Sequence, residues 1–117
     1  MKIAVPKETT PSERRVALVP ETVARLVKGG IAVQIEAGAG ENSSYPDGEY
    51  QAAGATVIPD RKTLFGTADL FIKVQKPSPE EIALLREGTV LIGILQPLVN
   101  PDLVQQLAQK KITAFAM

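Results

Sequence analysis

Six short apolar runs alternate with more polar segments along the chain. The runs are rich in Val, Ile and Leu, which is typical of buried strands. Strands that alternate with helices imply right-handed βαβ units and a mostly parallel sheet. We therefore predict an α/β fold with a doubly wound, flavodoxin-like sheet. The predicted strands are Ile3–Val5, Ile31–Ile35, Thr56–Ile58, Leu70–Val74, Val90–Leu95 and Ile112–Phe115.

Three of the intervening segments carry the start or stop signals of helices. The first begins at Pro20 and is followed by a glycine pair. The second begins with Ser78 at the N-cap and Glu81 three positions later, which predicts a capping box. The third begins at Asn100, and weaker helices are expected at 46–53 and 60–66. The side chains expected to face inward are Val23, Leu26 and Val27 in the first helix, and Val104, Leu107 and Ala108 in the third.

The amino-acid composition excludes several kinds of functional site. Lys+Arg and Asp+Glu both count 13, so the net charge favours neither nucleic acid nor an anionic membrane surface. The chain has no cysteine and no histidine, which excludes disulfides, Cys or His metal sites, thiol nucleophiles and imidazole acid–base catalysis. No apolar run approaches the ~20 residues of a membrane span, and the simplest compartment is the cytosol.

A parallel sheet gathers the loops that follow its strands at one edge, where ligands bind. We expect the crevice to be built from Pro6–Leu18, Gln75–Pro77 and Gln96–Asn100. Arg15, on the long first loop, could grip a carboxylate with two hydrogen bonds. The alternative, slightly favoured by the sequence, is a solvated turn in which Arg15 pairs with Glu8 or Glu13.

Lys73 stands between two apolar residues near the end of the fourth predicted strand. It is interpreted either as a cation aimed at the crevice or as an edge-strand lysine that discourages sheet-to-sheet pairing. Gln75 and Gln96 each fall at a strand end, where an amide can orient a ligand. An amide is not a general acid or base at neutral pH, and simple loop hydrogen bonding is the favoured interpretation of these two residues considered alone.

The segment Gly38-Ala-Gly-Glu-Asn-Ser resembles the start of a dinucleotide-binding fingerprint, with Asp60 near the position of a ribose-binding acid. We reject this match because Ser43 replaces the third glycine and no apolar helix start follows. The preceding strand, with Gln34 and Glu36, looks half exposed rather than central. The segment is predicted to be a turn, and Asp60 a helix N-cap.

Several motifs, taken together in order, resemble the alanine dehydrogenase/proton-translocating nicotinamide nucleotide transhydrogenase family. They are Lys2-Ile-Ala-Val-Pro-Lys-Glu, Glu13-Arg-Arg-Val-Ala-Leu-Val-Pro, Glu36-Ala-Gly-Ala-Gly, Ala52-Ala-Gly-Ala, Lys73-Val-Gln-Lys-Pro and Ile112-Thr-Ala-Phe-Ala-Met. The resemblance implies that residues 1–117 form a single, incomplete N-terminal domain of a two-domain dehydrogenase. A Rossmann NAD domain would follow in sequence, and a later segment would complete the first domain.

Three positions bear on the choice between the two kinds of protein in this family, alanine dehydrogenases and transhydrogenase α subunits. Alanine dehydrogenases have an Arg at the position of Arg15, a Lys at that of Gln75 and a His at that of Gln96. Of these three, this chain keeps only Arg15. The segments Lys73-Val-Gln-Lys-Pro and Leu95-Gln-Pro-Leu-Val-Asn-Pro-Asp-Leu are similar to those of the transhydrogenase α subunit. The resemblance implies an enzyme whose complete form passes hydride directly from NADH to NADP⁺.

These motifs lead to one expectation and two alternatives. The chain is expected to be the N-terminal part of the NAD(H)-binding α subunit of a transhydrogenase, with NADP(H) on a partner domain. It would act with membrane and NADP-binding subunits, as a homodimer in the complete protein, at the cytoplasmic face of the membrane. The isolated fragment is expected to be inactive, with no bound cofactor, metal or catalytic residue. The alternatives are an alanine dehydrogenase N-terminal domain and a non-catalytic carboxylate-binding module.

Overall fold

A computed structural model describes residues 1–95 and 100–116 of the chain. It contains parallel strands connected by helices, with a short 3₁₀ turn at Glu41–Ser43. The strands are β1 (Lys2–Val5), β2 (Ala32–Glu36), β3 (Thr56–Ile58), β4 (Leu70–Ile72), β5 (Val90–Gly93) and β6 (Thr113–Ala116). The helices are α1 (Pro20–Lys28), α2 (Asp47–Ala52), α3 (Arg61–Thr67), α4 (Pro79–Leu84) and α5 (Pro101–Gln109).

The strands form one six-stranded sheet in the order β3-β2-β1-β4-β5-β6, and every pair is parallel. The order runs outward from β1 in both directions, which makes the sheet doubly wound. The predicted fold class is therefore confirmed. Strands β2 and β3 are added on one side of β1, and β4, β5 and β6 on the other. The loops after β1 and β4 therefore leave these neighbouring strands at the topological switch point.

The two faces of the sheet carry separate apolar cores. Side-chain alternation in β1 sends Ile3 and Val5 to one face and Ala4 to the other. The first face is covered by α1 and α2, around the buried Tyr50. The second is covered by α3, α4 and α5, where the rings of Phe65 and Phe71 stack at 4.7 Å between centroids.

Capping side chains begin two helices as the sequence predicts. Ser78 accepts a hydrogen bond from the backbone N–H of Glu81, and Glu81 accepts one from that of Ser78, which completes the capping box. Asp60 caps α3 by accepting from the backbone N–H of Lys62. Both predictions are confirmed, and each cap satisfies backbone donors that a helix start leaves unpaired.

The predicted inward face of α5 is confirmed for Leu107 and wrong for Val104 and Ala108. Leu103 and Leu107 are the buried positions, whereas Val104 is 43% exposed and Ala108 is also exposed. Both pairs are spaced four residues apart and are equally consistent with an amphipathic helix. The larger leucines occupy the core side, and the smaller residues lie beside the exposed strand β6.

Candidate functional site

Charged side chains meet at the C-terminal edge of the sheet, from the loops after β1 and β4, the end of β2 and the starts of α3 and α4. Lys73 follows β4, which lies between β1 and β5. The edge-strand interpretation of Lys73 is therefore wrong. Its side chain is only 2% exposed, so it does not present a free cation to the crevice either.

Lys73 is instead paired with two buried carboxylates. Its Nζ lies 3.3 Å from Glu8 Oε1 and 3.3 Å from Glu81 Oε2. The side chains of both glutamates are 3% exposed. Removing a charge from water is unfavourable unless it is paired and hydrogen-bonded. Here Lys73 supplies the counter-charge for both glutamates, and they supply the counter-charge for Lys73.

Arg61 extends this pairing to a third carboxylate. Its Nη2 donates to Glu81 Oε2 at 2.8 Å and its Nε to Glu36 Oε1 at 2.7 Å. The guanidinium also lies over the ring of Phe65, 5.2 Å from the centroid. The buried ion-pair network therefore consists of Glu8, Glu36, Arg61, Lys73 and Glu81.

Glu8 fastens the first loop to the end of β4. Besides pairing with Lys73, it accepts hydrogen bonds from the backbone N–H groups of Val74 at 2.9 Å and Gln75 at 3.1 Å. A carboxylate with three such donors is well satisfied although it is buried. The network thus holds Pro6–Leu18 against the switch point and fixes the backbone at Gln75.

Glu81 links the network to the start of α4. Burial alone raises the pKa of Glu81, but Lys73, the backbone N–H of Ser78 and Arg61 together outweigh it. The pKa of Glu81 therefore lies below its usual value, and the carboxylate is charged at neutral pH. One side chain accordingly serves both the helix cap and the ion pairs.

Arg15 pairs with Glu13 rather than pointing alone into a crevice. Its Nη2 lies 2.8 Å from Glu13 Oε1, and its side chain is 64% exposed. Gln75 donates from Nε2 to the same carboxylate at 2.7 Å. The paired-arginine interpretation therefore describes the arrangement, and Arg15, Glu13 and Gln75 form a second cluster beside the buried network.

The four predicted site residues are thus only partly brought together. Arg15 and Gln75 meet through Glu13, and Lys73 is joined to the backbone of Gln75 through Glu8. Gln96 lies outside the described residues. Sequence reasoning missed Glu36, Arg61 and the ionic role of Glu81. The available signal was Lys73 itself, since a lysine between apolar strand residues requires a buried partner.

The glycine turn after β2 is filled by the protein itself. The N–H of Gly38 donates to Asp47 Oδ1 at 2.9 Å, and that of Ala39 to the carbonyl of Glu36 at 3.0 Å. A 3₁₀ turn follows instead of an α-helix. A pyrophosphate site needs free N–H groups at a helix start, so this turn does not fit one.

The expectation that the strand before this turn is half exposed is wrong for Glu36. Strand β2 lies between β1 and β3, and Glu36 is 7% exposed. A charged residue at an alternating position usually marks a solvent face. Here Arg61 and the backbone N–H of Lys7 satisfy the carboxylate, so it is buried instead.

Replacing Gly40 by alanine should destabilise the fold by roughly 1–3 kcal/mol, because the new methyl group overpacks the site. An ideal Cβ would lie 2.6 Å from the carbonyl oxygen of Tyr45 and from the ring of Tyr50. Gly48→Ala is the matched control, since nothing lies within 4 Å of a Cβ added there and it lies in α2. Urea unfolding should show a neutral or stabilising control, and equal effects of both changes would contradict the packing argument.

A shallow cavity of about 360 Å³ lies beside these clusters at the same edge of the sheet. Its walls come from the loop after β4 and the start of α5. Lys76 donates from Nζ to Asn100 Oδ1 at 2.9 Å across one side.

No helix in the described part of the chain is long and apolar enough to cross a membrane.

Comparisons with known proteins agree with this geometry. The family model described as "Alanine dehydrogenase/PNT, N-terminal domain" matches residues 4–117. The chain is 44% identical to an NAD(P) transhydrogenase subunit alpha polypeptide of Rhodospirillum rubrum, over 100% of the chain and 32% of that protein. It is 43% identical to alanine dehydrogenase of Methanococcus maripaludis, over 99% of the chain and 31% of that protein.

A solved structure of L-alanine dehydrogenase superposes with a TM-score of 0.95 at 36% identity, over 99% of this chain and 32% of the other. The chain thus spans about a third of the length of these relatives. The family model covers nearly all of the sequence, and the all-parallel fold matches that of the solved relative. The chain therefore belongs to the alanine dehydrogenase/PNT N-terminal domain family.

Proposed function

We propose that the chain is the N-terminal part of the NAD(H)-binding α subunit of a proton-translocating NAD(P) transhydrogenase. In the complete enzyme, hydride passes from NADH to NADP⁺ and yields NAD⁺ and NADPH. This reaction consumes no amine or 2-oxo acid. The role left to this domain is to help shape a cleft in which the nicotinamide is held away from water.

The observation that carries the proposal is the environment of Gln75. Its amide donates to Glu13, and its backbone N–H donates to Glu8, so Gln75 is a fixed neutral group. Amino-acid deamination needs proton transfers at the substrate nitrogen and carbon, which an amide does not supply. Transfer of hydride between two nicotinamides needs no such group.

Alanine dehydrogenase is the second candidate because such relatives are nearly as similar in sequence as the transhydrogenases. Similarity alone therefore does not separate the two activities. This chain differs from alanine dehydrogenases in two side chains. The family resemblance implies a lysine at position 75 and a histidine at position 96 in an alanine dehydrogenase, and both are glutamine here. The proposal of a transhydrogenase follows from that chemistry.

The proposed enzyme requires parts beyond these residues. A Rossmann domain would bind NAD(H), because the glycine turn after β2 is closed by its own hydrogen bonds and offers no pyrophosphate site. Membrane and NADP-binding subunits would complete the complex, with the α subunit a homodimer at the cytoplasmic surface of the membrane. These partners belong to the proposal and rest on the similarity of the chain to transhydrogenase alpha subunits.

The direct test is hydride transfer by the intact protein assembled with transhydrogenase membrane and NADP-binding subunits. NADH and an NADP⁺ analogue with a shifted absorption band are mixed, and reduction of the analogue is followed. The proposal predicts turnover on the order of 1–10³ per second, the usual range for enzymes. An assembled complex that binds both nucleotides without transferring hydride would contradict it.

The 117-residue chain alone is predicted to bind NADH weakly, with a dissociation constant on the order of 1 mM, equivalent to about −4 kcal/mol. Small-molecule sites enclose roughly 70–90% of their ligand, and one wall of a cleft encloses far less. Isothermal titration at ~0.15 M salt measures this affinity. Saturable binding in the low micromolar range would instead require a nucleotide site within these residues.

A further inference from the structure

Glu13 occupies the face of Arg15 that an external carboxylate would use. Its oxygens accept from Nε at 3.0 Å and from Nη2 at 2.8 Å, the side-by-side arrangement by which guanidinium binds a carboxylate. The backbone N–H of Arg15 adds a third hydrogen bond at 2.9 Å. The Nε/Nη2 edge of Arg15 is therefore filled from within the chain.

Gln75 holds Glu13 in this position from the side of the sheet. The amide donates to Glu13 Oε1 at 2.7 Å, and the backbone of Gln75 is tied to the buried Glu8 at 3.1 Å. The side chain of Glu13 is 6% exposed, compared with 64% for Arg15. The carboxylate is thus the anchored partner, and the guanidinium lies against it from the solvent side.

The charge on this cluster persists across the physiological range. Hydrogen bonds from Arg15, then from Gln75, lower the pKa of Glu13 to about 2. The hydrogen bond with Glu13 also raises the pKa of Arg15. The charges of Arg15 and Glu13 cancel, and Gln75 is neutral. The cluster of these three residues therefore carries no net charge that would attract an approaching anion.

We propose that Glu13 is a specificity-determining residue, an internal carboxylate that Gln75 holds on Arg15 so that small external carboxylates such as 2-oxo acids do not bind there. The same arrangement explains why a domain with an arginine at this edge need not recognise a carboxylate substrate. The inference rests on the contacts at Glu13 and needs no hydride transfer, so it and the proposed function can fail separately.

The test is a titration of the 117-residue chain with sodium pyruvate, followed through the NMR signal of the Arg15 Nε–H group. Sodium chloride at equal ionic strength corrects for screening. In the wild type the signal should not move with pyruvate up to about 50 mM. In Glu13→Gln the signal should move and saturate, with a dissociation constant on the order of 10 mM or lower. That affinity is at least tenfold tighter than in the wild type, a difference in binding free energy of about 1.4 kcal/mol or more.

Glu21→Gln is the matched control, because it breaks an exposed Arg–Glu pair of similar length, 2.9 Å from Arg25, away from this cluster. It should gain no pyruvate binding at Arg25, and Glu13→Gln with Arg15→Gln should lose the gain. Equal binding by the wild type and Glu13→Gln, or no gain in a folded Glu13→Gln, would overturn the proposal.

A second variant decides the matter if Glu13→Gln does not fold. Gln75→Leu removes the amide that anchors Glu13 but leaves Arg15 and the carboxylate in place. Loosening that anchor should make the Arg15 Nε–H signal move measurably with pyruvate, by less than in Glu13→Gln, since it frees Arg15 for part of the time. A Gln75→Leu chain that binds no better than the wild type would refute the role of Gln75 and with it the proposal.

Discussion

Lys73→Met should destabilise the fold by about 3–5 kcal/mol, the usual cost of removing one partner from a buried ion pair. The substitution removes the ammonium that lies 3.3 Å from both Glu8 and Glu81. Methionine fills a similar volume, so the loss is electrostatic rather than a cavity. Domains of this size have only about 5–15 kcal/mol of stability, so the variant should unfold at much lower urea.

Two comparisons separate the network from a general effect of losing a lysine. Lys62→Met removes an exposed lysine from α3 and should change stability by no more than about 0.5 kcal/mol. Glu8→Gln combined with Lys73→Met should recover part of the loss, because it removes a carboxylate left without its counter-charge. Equal unfolding midpoints for Lys73→Met and Lys62→Met would contradict the network.

The pH dependence of the stability difference between the wild type and Lys73→Met gives an independent check on the ion-pair network. The lowered pKa of Glu81 means that its ion pairs stabilise the fold above the ordinary glutamate pKa, and that this stability is lost as pH falls. In Lys73→Met, protonation of the unpaired carboxylates relieves the penalty at low pH. The stability gap between wild type and variant should therefore narrow as pH falls from 7 toward about 4.

The fold could be predicted because local signals agree with the global arrangement. Each apolar run is short, rich in Val, Ile or Leu and separated from the next by a helix signal, and such a pattern fits few architectures. Capping by Ser78 and Asp60 is read from adjacent residues and was predicted correctly. The inward face of α5 was predicted correctly only at Leu107, because Leu103 and Val104 satisfy the same helical period.

The site was less predictable because its contacts join residues far apart in the chain. Lys73 was recognised as unusual, but Glu8 lies 65 positions away and nothing local identifies it as the partner. Arg61 and Glu36 come from α3 and β2, which the sequence places in different units. Local patterns establish which residues are anomalous, whereas the three-dimensional fold establishes how their charges are satisfied.

The intact protein is also expected not to deaminate alanine. Oxidation of L-alanine by NAD⁺ gives pyruvate, ammonium and NADH, and the carboxylate of the amino acid must be held while protons are transferred. Arg15 is occupied by Glu13, and Gln75 is a neutral amide bound to the same carboxylate. Arg15 and Gln75 therefore supply neither a free carboxylate-binding cation nor a proton-transfer group for this reaction.

A steady-state assay of the intact protein with L-alanine and NAD⁺, followed by NADH absorbance, decides between the two activities. A preparation that catalyses NADH-to-NADP⁺ hydride transfer in the assembled complex serves as the positive control for folded protein. The predicted result is no alanine turnover above the rate without enzyme. Turnover near ordinary enzyme rates, on the order of 10 per second, would contradict the transhydrogenase proposal and establish alanine dehydrogenase activity.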